Sequence, residues 1–390
     1  MIKIRLRKNL LYLLVYYVNW YIREIINIVI KKLFNYSQTF IFLYLMTLGE
    51  IIGGFSIFMY QNNSWKEKKK TKYFELKLIY NEKEEIEVAD GRFKRIILIF
   101  LAAFFDFMEF IIFYFYVPLM DSKITPTIDF RFGCLTTIVS SLIYTNALRF
   151  KIGKHHKISL LFMSLGVLLS LIIEIIFQPD NKSFGRFIFV RFLVCFYLMC
   201  VSFTDCTEKY LVEFNYMNPF QILMIEGIFE SFLDIIFSIG NDPFKDIKKL
   251  YKEKTTRELF LFIFLLFLYL SVSTIVNTYK IYCNVIYSSM ARSLIDYLMG
   301  PFFNIYFFIW ENDFQNNYVY FFTSEIANVI TVFFSCVYNE YIILFCCGIA
   351  HDTKDEITIR SLNKYNKTAD YKLGEATDDE DESSNTLTSH

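Results

Sequence analysis

The residues most able to do chemistry in this chain are ionisable groups embedded in apolar sequence. Glu226, Glu230 and Asp234 recur every four residues within one apolar stretch, a spacing that stacks all three on one face of a helix. Three adjacent anions cannot all stay ionised against lipid, so the stripe must line a cavity, meet cations or hold protons. Arg186 and Arg191, on the preceding apolar stretch, are the nearest cationic partners in sequence. A proton-carrying carboxylate and a static salt-bridge network both satisfy the pattern.

The same reasoning applies elsewhere, because a charge at the centre of a bilayer costs about 2.5–3.5 kcal/mol even on insertion scales. Glu50 follows Gly49 and precedes Gly53 and Gly54, small residues that let helices approach closely. Asp106 and Glu109 lie three apart on one face, and Asp129 and Arg131 precede Gly133. Arg131 is placed either to receive an anionic group or to snorkel to the interface. Arg292 and Asp296 lie four apart just before Gly300-Pro301, a step that can break a helix beside a binding site. Glu325 is a lone carboxylate placed near a helix end.

Soluble-enzyme signatures are missing. The chain has no phosphate-cradling glycine loop, no GxSxG and no HExxH, and its four histidines (His155, His156, His351, His390) show no metal-ligand spacing. The eight cysteines fall mostly in apolar blocks with no CxxC or Cys/His ligand spacing, which argues against a zinc site or a disulfide framework. Cys346 and Cys347, at the exit of the last apolar block, read as buried small residues or as S-palmitoylation sites. The expectation is therefore no enzyme, no metal and no cofactor.

The elements that must position these charges are membrane helices. Hydrophobic residues are 55% of 390, and they come in blocks rather than at an amphipathic period, which excludes a soluble globular domain. A bilayer core takes about 20 apolar residues per helix. The blocks give ten helices, about 9–30, 38–60, 96–116, 127–148, 158–177, 185–206, 219–240, 259–279, 285–310 and 318–344. The basic segment Met1–Lys8 precedes the first, and with no small-residue cleavage site following it reads as the flank of a retained helix. Gln61–Arg95 reads as a charged, flexible cytoplasmic loop, and 349–390 as a disordered acidic tail ending near Asp378–Glu382. Basic residues counted by side favour both termini in the cytosol, against which stands the lysine-rich loop Asn241–Glu258. The sequons at Asn35 and Asn181 then fall outside the cytosol but too close to the membrane for a glycan.

Divided near Pro179, the chain gives two halves of five helices, about 9–177 and 185–347. The second helix of each half joins a glycine to a glutamate, Gly49-Glu50 and Glu226-Gly227, and the fourth carries Arg131 or Arg292. Leu48-Gly49-Glu50, Asp106, Arg131, Thr207-Glu208-Lys209-Tyr210, Asn218-Pro219, Glu226-Gly227 and Arg292 to Asp296 stand in an order and at intervals that resemble the drug/metabolite transporter superfamily, and within it the F subgroup of the solute carrier 35 family. The resemblance covers most of Gln38 to Cys347, with departures at Ile225, Glu230 and Met299.

It implies an all-α membrane protein of about ten transmembrane helices, arranged as two five-helix inverted repeats around a central cavity across residues 1–348. The function it implies is secondary transport, by alternating access, of a small polar or anionic metabolite such as a nucleotide-linked sugar. Glu50, Arg131, Glu226, Arg292 and Asp296 are the expected cavity residues, the arginines meeting a substrate anion and the glutamates supplying charge balance or a proton. The expected partners are the lipid bilayer and a small-molecule solute, with a homo-oligomer left open and no nucleic acid. An integral multi-pass location is expected, with the endomembrane, lysosomal and plasma membranes all open. The alternative is a multi-pass receptor or sensor, which would place the two termini on opposite sides.

Overall fold

A computed structural model describes residues 2–4, 10–34, 40–79, 92–119, 132–146, 152–177, 184–213, 215, 217–239, 245–286, 301, 305, 308–309, 318–345 and 353. Its helices are α1 (Leu10–Phe34), α2 (Phe40–Ile79), α3 (Arg92–Leu119), α4 (Cys134–Asn146), α5 (Lys154–Ile176), α6 (Phe184–Glu213), α7 (Pro219–Ser238), α8 (Lys245–Glu253), α9 (Thr256–Ile286) and α10 (Tyr318–Tyr338). Two short strands, β1 (Ile2–Ile4) and β2 (Ile342–Leu344), pair antiparallel. Five residues join β1 to α1 and three join α10 to β2, so the start of α1 and the end of α10 lie at the same end of the bundle.

Six of these helices, α1, α2, α5, α6, α9 and α10, are long and apolar enough to cross a membrane. α1, α2 and α9 pack through a buried apolar cluster that includes Ile30, Phe42 and Tyr269, whereas the packing of α5 and α10 is inverted relative to a soluble protein. On α5 the buried face is Ser159, Met163, Gly166, Ser170 and Glu174, while Leu161, Leu165, Leu168 and Ile172 point outward. On α10 Ser324, Asn328, Thr331 and Ser335 are buried while Phe322, Ile326 and Val329 are exposed. Large apolar side chains outside and small or polar ones between helices are what a lipid solvent selects, because lipid gives no reason to bury leucine and every reason to pair a hydroxyl. The chain is thus a helical, multi-pass integral membrane protein.

Neighbouring helices pack as α1 on α9, α9 on α2, α2 on α7, α7 on α3, α3 on α6, α6 on α4, α4 on α5 and α5 on α10. The crossing of α2 and α7 is the tightest point of interest. A Cβ added at Gly227 would sit 2.9 Å from both the Glu50 Cβ and the Thr47 carbonyl oxygen, and one at Gly54 would sit 2.7 Å from the Met224 backbone nitrogen. Backbone lines the space on both sides, so neither helix can give way. Gly227→Ala is therefore expected to cost about 1–3 kcal/mol through overpacking, read as a lowered thermal midpoint of the purified protein in detergent.

Several boundaries differ from the sequence reading: α3 begins at Arg92, inside the expected loop, α6 runs on to Glu213 and α9 spans Thr256–Ile286. The second helix does not end at Tyr60, where the loop was expected, but runs on to Ile79, because Lys66–Lys72 and Glu75–Leu78 are good helix formers even though they are too polar to span. The last helix stops at Tyr338 instead of Leu344. There Glu340 takes the left-handed conformation (φ 59°) and the N–H of Tyr341 closes back on the Cys336 carbonyl at 2.9 Å, ending the helix before β2. Within the lysine-rich loop, Lys245–Glu253 forms α8. Most of the ninth expected helix, the start of the fourth (127–131) and all of the acidic tail except Thr353 lie outside the described residues.

Candidate functional site

The start of α7 is set by local chemistry. Asn218 caps it, its Oδ1 accepting from the Phe220 N–H at 2.9 Å, and Pro219 occupies the first turn, where its missing N–H costs nothing. From that start, Glu226, Glu230 and Asp234 fall on the buried face, as their spacing requires. They face α2, α3, α6 and α9 rather than lipid. One oxygen each of Glu50 on α2, Asp106 on α3 and Glu230 on α7 lie within 4.8 Å of one another, and all three residues are buried. Glu50 Oε2, Glu226 Oε1 and Glu230 Oε2 have no hydrogen-bond partner. Asp234 reaches Thr47 of α2, whose Oγ1 donates to Oδ2 at 3.4 Å and accepts from Ser231 Oγ at 3.2 Å.

Cations and amides come from α6 and α9. Lys280 Nζ donates to Asp106 Oδ1 at 2.7 Å. Asn284 Nδ2, one turn further on, bridges the Asp205 carbonyl oxygen at 3.1 Å and Glu208 Oε2 at 2.8 Å, and Lys209 Nζ donates to the Asn284 carbonyl oxygen at 3.1 Å. Asn277 Nδ2, one turn earlier, donates to the Met46 carbonyl oxygen of α2 at 3.1 Å. Asp106 and Lys280 lie within electrostatic reach of Glu50, Glu208, Glu226 and Glu230. Among the described residues, the centre of the bundle thus gathers seven buried carboxylates, Glu50, Asp106, Asp205, Glu208, Glu226, Glu230 and Asp234, around two lysines, Lys209 and Lys280. Among the described residues the carboxylates of this centre outnumber its lysines, and Arg131 and Arg292 lie outside the described residues.

Of the residues expected to line a cavity, Glu50 and Glu226 are brought together at the α2–α7 crossing, while Arg131, Arg292 and Asp296 lie outside the described residues. The expected pairing of Arg191 with the α7 stripe is replaced by another. Arg191 Nε donates to Glu174 Oε2 of α5 at 2.6 Å, and its guanidinium sits 4.8 Å from the Phe187 ring centroid, because the face of α6 that carries it turns toward α5. The side chain of Arg186 lies outside the described residues.

Sequence reasoning missed Asp205, Asn277 and Asn284, and above all Lys280. It sits one position past the expected end of its helix at Tyr279, where a lysine reads as a snorkelling terminus, yet α9 continues to Ile286 and carries it inside. The available signal was its spacing from Asn277 and Asn284, which puts three polar residues on one stripe of an otherwise apolar helix.

Compared with protein families and with curated proteins, the chain matches none.

Proposed function

We propose that this protein is a secondary transporter of a small polar or anionic metabolite, of the drug/metabolite type, working by alternating access around the α2–α7 crossing. The observation that carries the reading is the buried charged centre at that crossing. An ion-rich, partly unsatisfied cluster in the middle of a membrane bundle is expensive as a structural device and useful as a coupling site.

The order of packing supports a two-repeat architecture of ten spans. Of the expected helices, α2 and α7 are the second of each half, α3 and α9 the third, α1 and α6 the first, α5 and α10 the fifth. A two-fold exchange of the halves converts the α1–α9 contact into the α6–α3 contact and the α2–α9 contact into the α7–α3 contact, and all four are present. It maps α2–α7 and α5–α10 onto themselves, and these are present too. In this reading α3 and α7 are spans as well. α7 has 20 residues, about 30 Å of helix, and falls short as a simple hydrophobic span because it carries three carboxylates.

In the proposed mechanism the carboxylates of α2, α3 and α7 take up a proton or cation, and Lys280 fixes one of them as the permanent anion. Arg131 and Arg292, from the fourth helix of each half, meet the substrate's negative charge. Loading the centre removes like-charge repulsion between α2 and α7, which lets one repeat rock against the other. Uptake of a metabolite panel into proteoliposomes tests this reading, with saturable entry of at least one solute expected. Entry that rises linearly with concentration, or none, would contradict it.

The receptor alternative places the termini on opposite sides, and the β1–β2 pairing speaks against it by holding Ile2–Ile4 beside Ile342–Leu344. Tags at Met1 and His390 are expected to show the same protease accessibility in sealed vesicles, whereas opposite accessibility would favour the receptor.

A further inference from the structure

A second cluster of chemically capable side chains lies away from the charged centre, at the end of the bundle where α5 begins and α10 gives way to β2. His155, His156 and Glu340 each offer one ligand atom there, all within 4.8 Å of one another. His155 and Glu340 are 2% and 4% exposed. Neither ring nitrogen of His155 has a hydrogen-bond partner, although the ring is buried. We propose that this cluster is a binding site for a borderline divalent metal ion of the zinc class, which would staple the start of α5 to the end of α10.

Four observations carry the assignment. First, His155 Nε2 lies 3.4 Å from Glu340 Oε1. Two ligands on one tetrahedral zinc, each about 2.0–2.1 Å from the metal, are about 3.3 Å apart. A good charge-assisted hydrogen bond would be shorter, at about 2.7–2.9 Å. Second, a buried imidazole with both nitrogens unsatisfied is costly, and a metal at Nε2 would satisfy the nitrogen that faces Glu340.

Third, Glu340 occupies the left-handed position that closes the α10 terminus, with its N–H on the Val337 carbonyl and the N–H of Tyr341 on the Cys336 carbonyl. Glycine is the ordinary residue at this place, so a glutamate there is held against backbone preference. What it supplies is a carboxylate aimed back at His155. Fourth, the surroundings hold the ligands in place. The His156 ring packs edge-on against Tyr338 at 4.7 Å, and the Tyr338 hydroxyl is 2.7 Å from Ser141 Oγ. Val337, Ile343, Leu344 and Thr353 wall the small pocket between His155 and Glu340.

The donor set defines the metal class. Two imidazoles and one carboxylate suit zinc and its neighbours, while calcium and magnesium prefer six or more oxygens. Because β2 pairs with β1, a metal here would also tie the N-terminal strand to the pair of helices that is fifth in each half. The histidines and the glutamate are 184 residues apart or more, which is why no ligand spacing shows in the sequence.

The test uses the full-length protein without a polyhistidine tag, purified in detergent and stripped with a chelator. Added Zn²⁺ is expected to bind at about one per chain and to raise the thermal midpoint, while Mg²⁺ and Ca²⁺ do neither. Glu340→Gly, which suits the backbone conformation and so keeps the fold, is expected to weaken Zn²⁺ binding by more than about 100-fold, and His155→Gln likewise. A wild-type protein whose midpoint ignores Zn²⁺, or a Glu340→Gly variant that binds it as tightly as wild type, would overturn the proposal.

Discussion

Lys280→Met is expected to lower the stability of the folded protein by about 3–5 kcal/mol, the usual result of removing one member of a buried ion pair. Asp106 is 5% exposed and Lys280 15%, and their 2.7 Å contact lies beside Glu50 and Glu230. Without the ammonium, Asp106 would face two further carboxylates with no fixed cation from α9. The loss should appear as a reduced yield of monodisperse protein and a depressed thermal midpoint. The double variant Lys280→Met with Asp106→Asn removes the stranded charge along with its partner and should recover much of the loss. A single variant as stable as wild type would mean that this pair does not brace the centre.

Glu226→Gln addresses function more than folding. Glutamine matches the shape of glutamate but carries no negative charge, and Glu226 is buried where its Oε1 lacks a partner, so little packing is lost. If the carboxylates of α2 and α7 carry the coupling ion, uptake should fall at least about tenfold, the consequence of losing about 1.4 kcal/mol of binding free energy. The response of uptake to a pH gradient should fall with it. Uptake by Glu226→Gln that equals wild type at every gradient would remove Glu226 from the coupling site.

The parts of this architecture legible in sequence were those with local periodicity. The four-residue spacing of Glu226, Glu230 and Asp234 was enough to predict one buried face, because helix geometry alone decides it. The paired motifs Gly49-Glu50 and Glu226-Gly227 read as an echo between halves; Glu50 meets Gly227 at the α2–α7 crossing, while Gly49 packs against Ser273 and Thr274 of α9. What could not be read depends on neighbours distant in sequence. Lys280 became a helix end in the hydropathy profile because nothing local announces Asp106, 174 residues away, as its partner. Arg191 has carboxylates available on several helices, and only packing selects Glu174. The extension of α2 beyond Tyr60 was hidden by the opposite error, since a low apolar content rules out a span without ruling out a helix.

Among the described residues the centre is anionic, with Glu50, Asp106 and Glu230 grouped and Lys280 on one of them, while Arg131 and Arg292 lie outside the described residues.

The central claim is that the α2–α7 crossing is the pivot of an alternating-access cycle, and the most direct measurement is counterflow in proteoliposomes. Vesicles holding wild-type protein are preloaded with an unlabelled solute that the uptake panel identifies, and entry of the labelled solute is then timed. The account predicts that preloading accelerates entry severalfold in wild type and that Gly227→Ala, which jams the crossing, abolishes the acceleration. Entry at the same rate with and without preloading in wild type would contradict it.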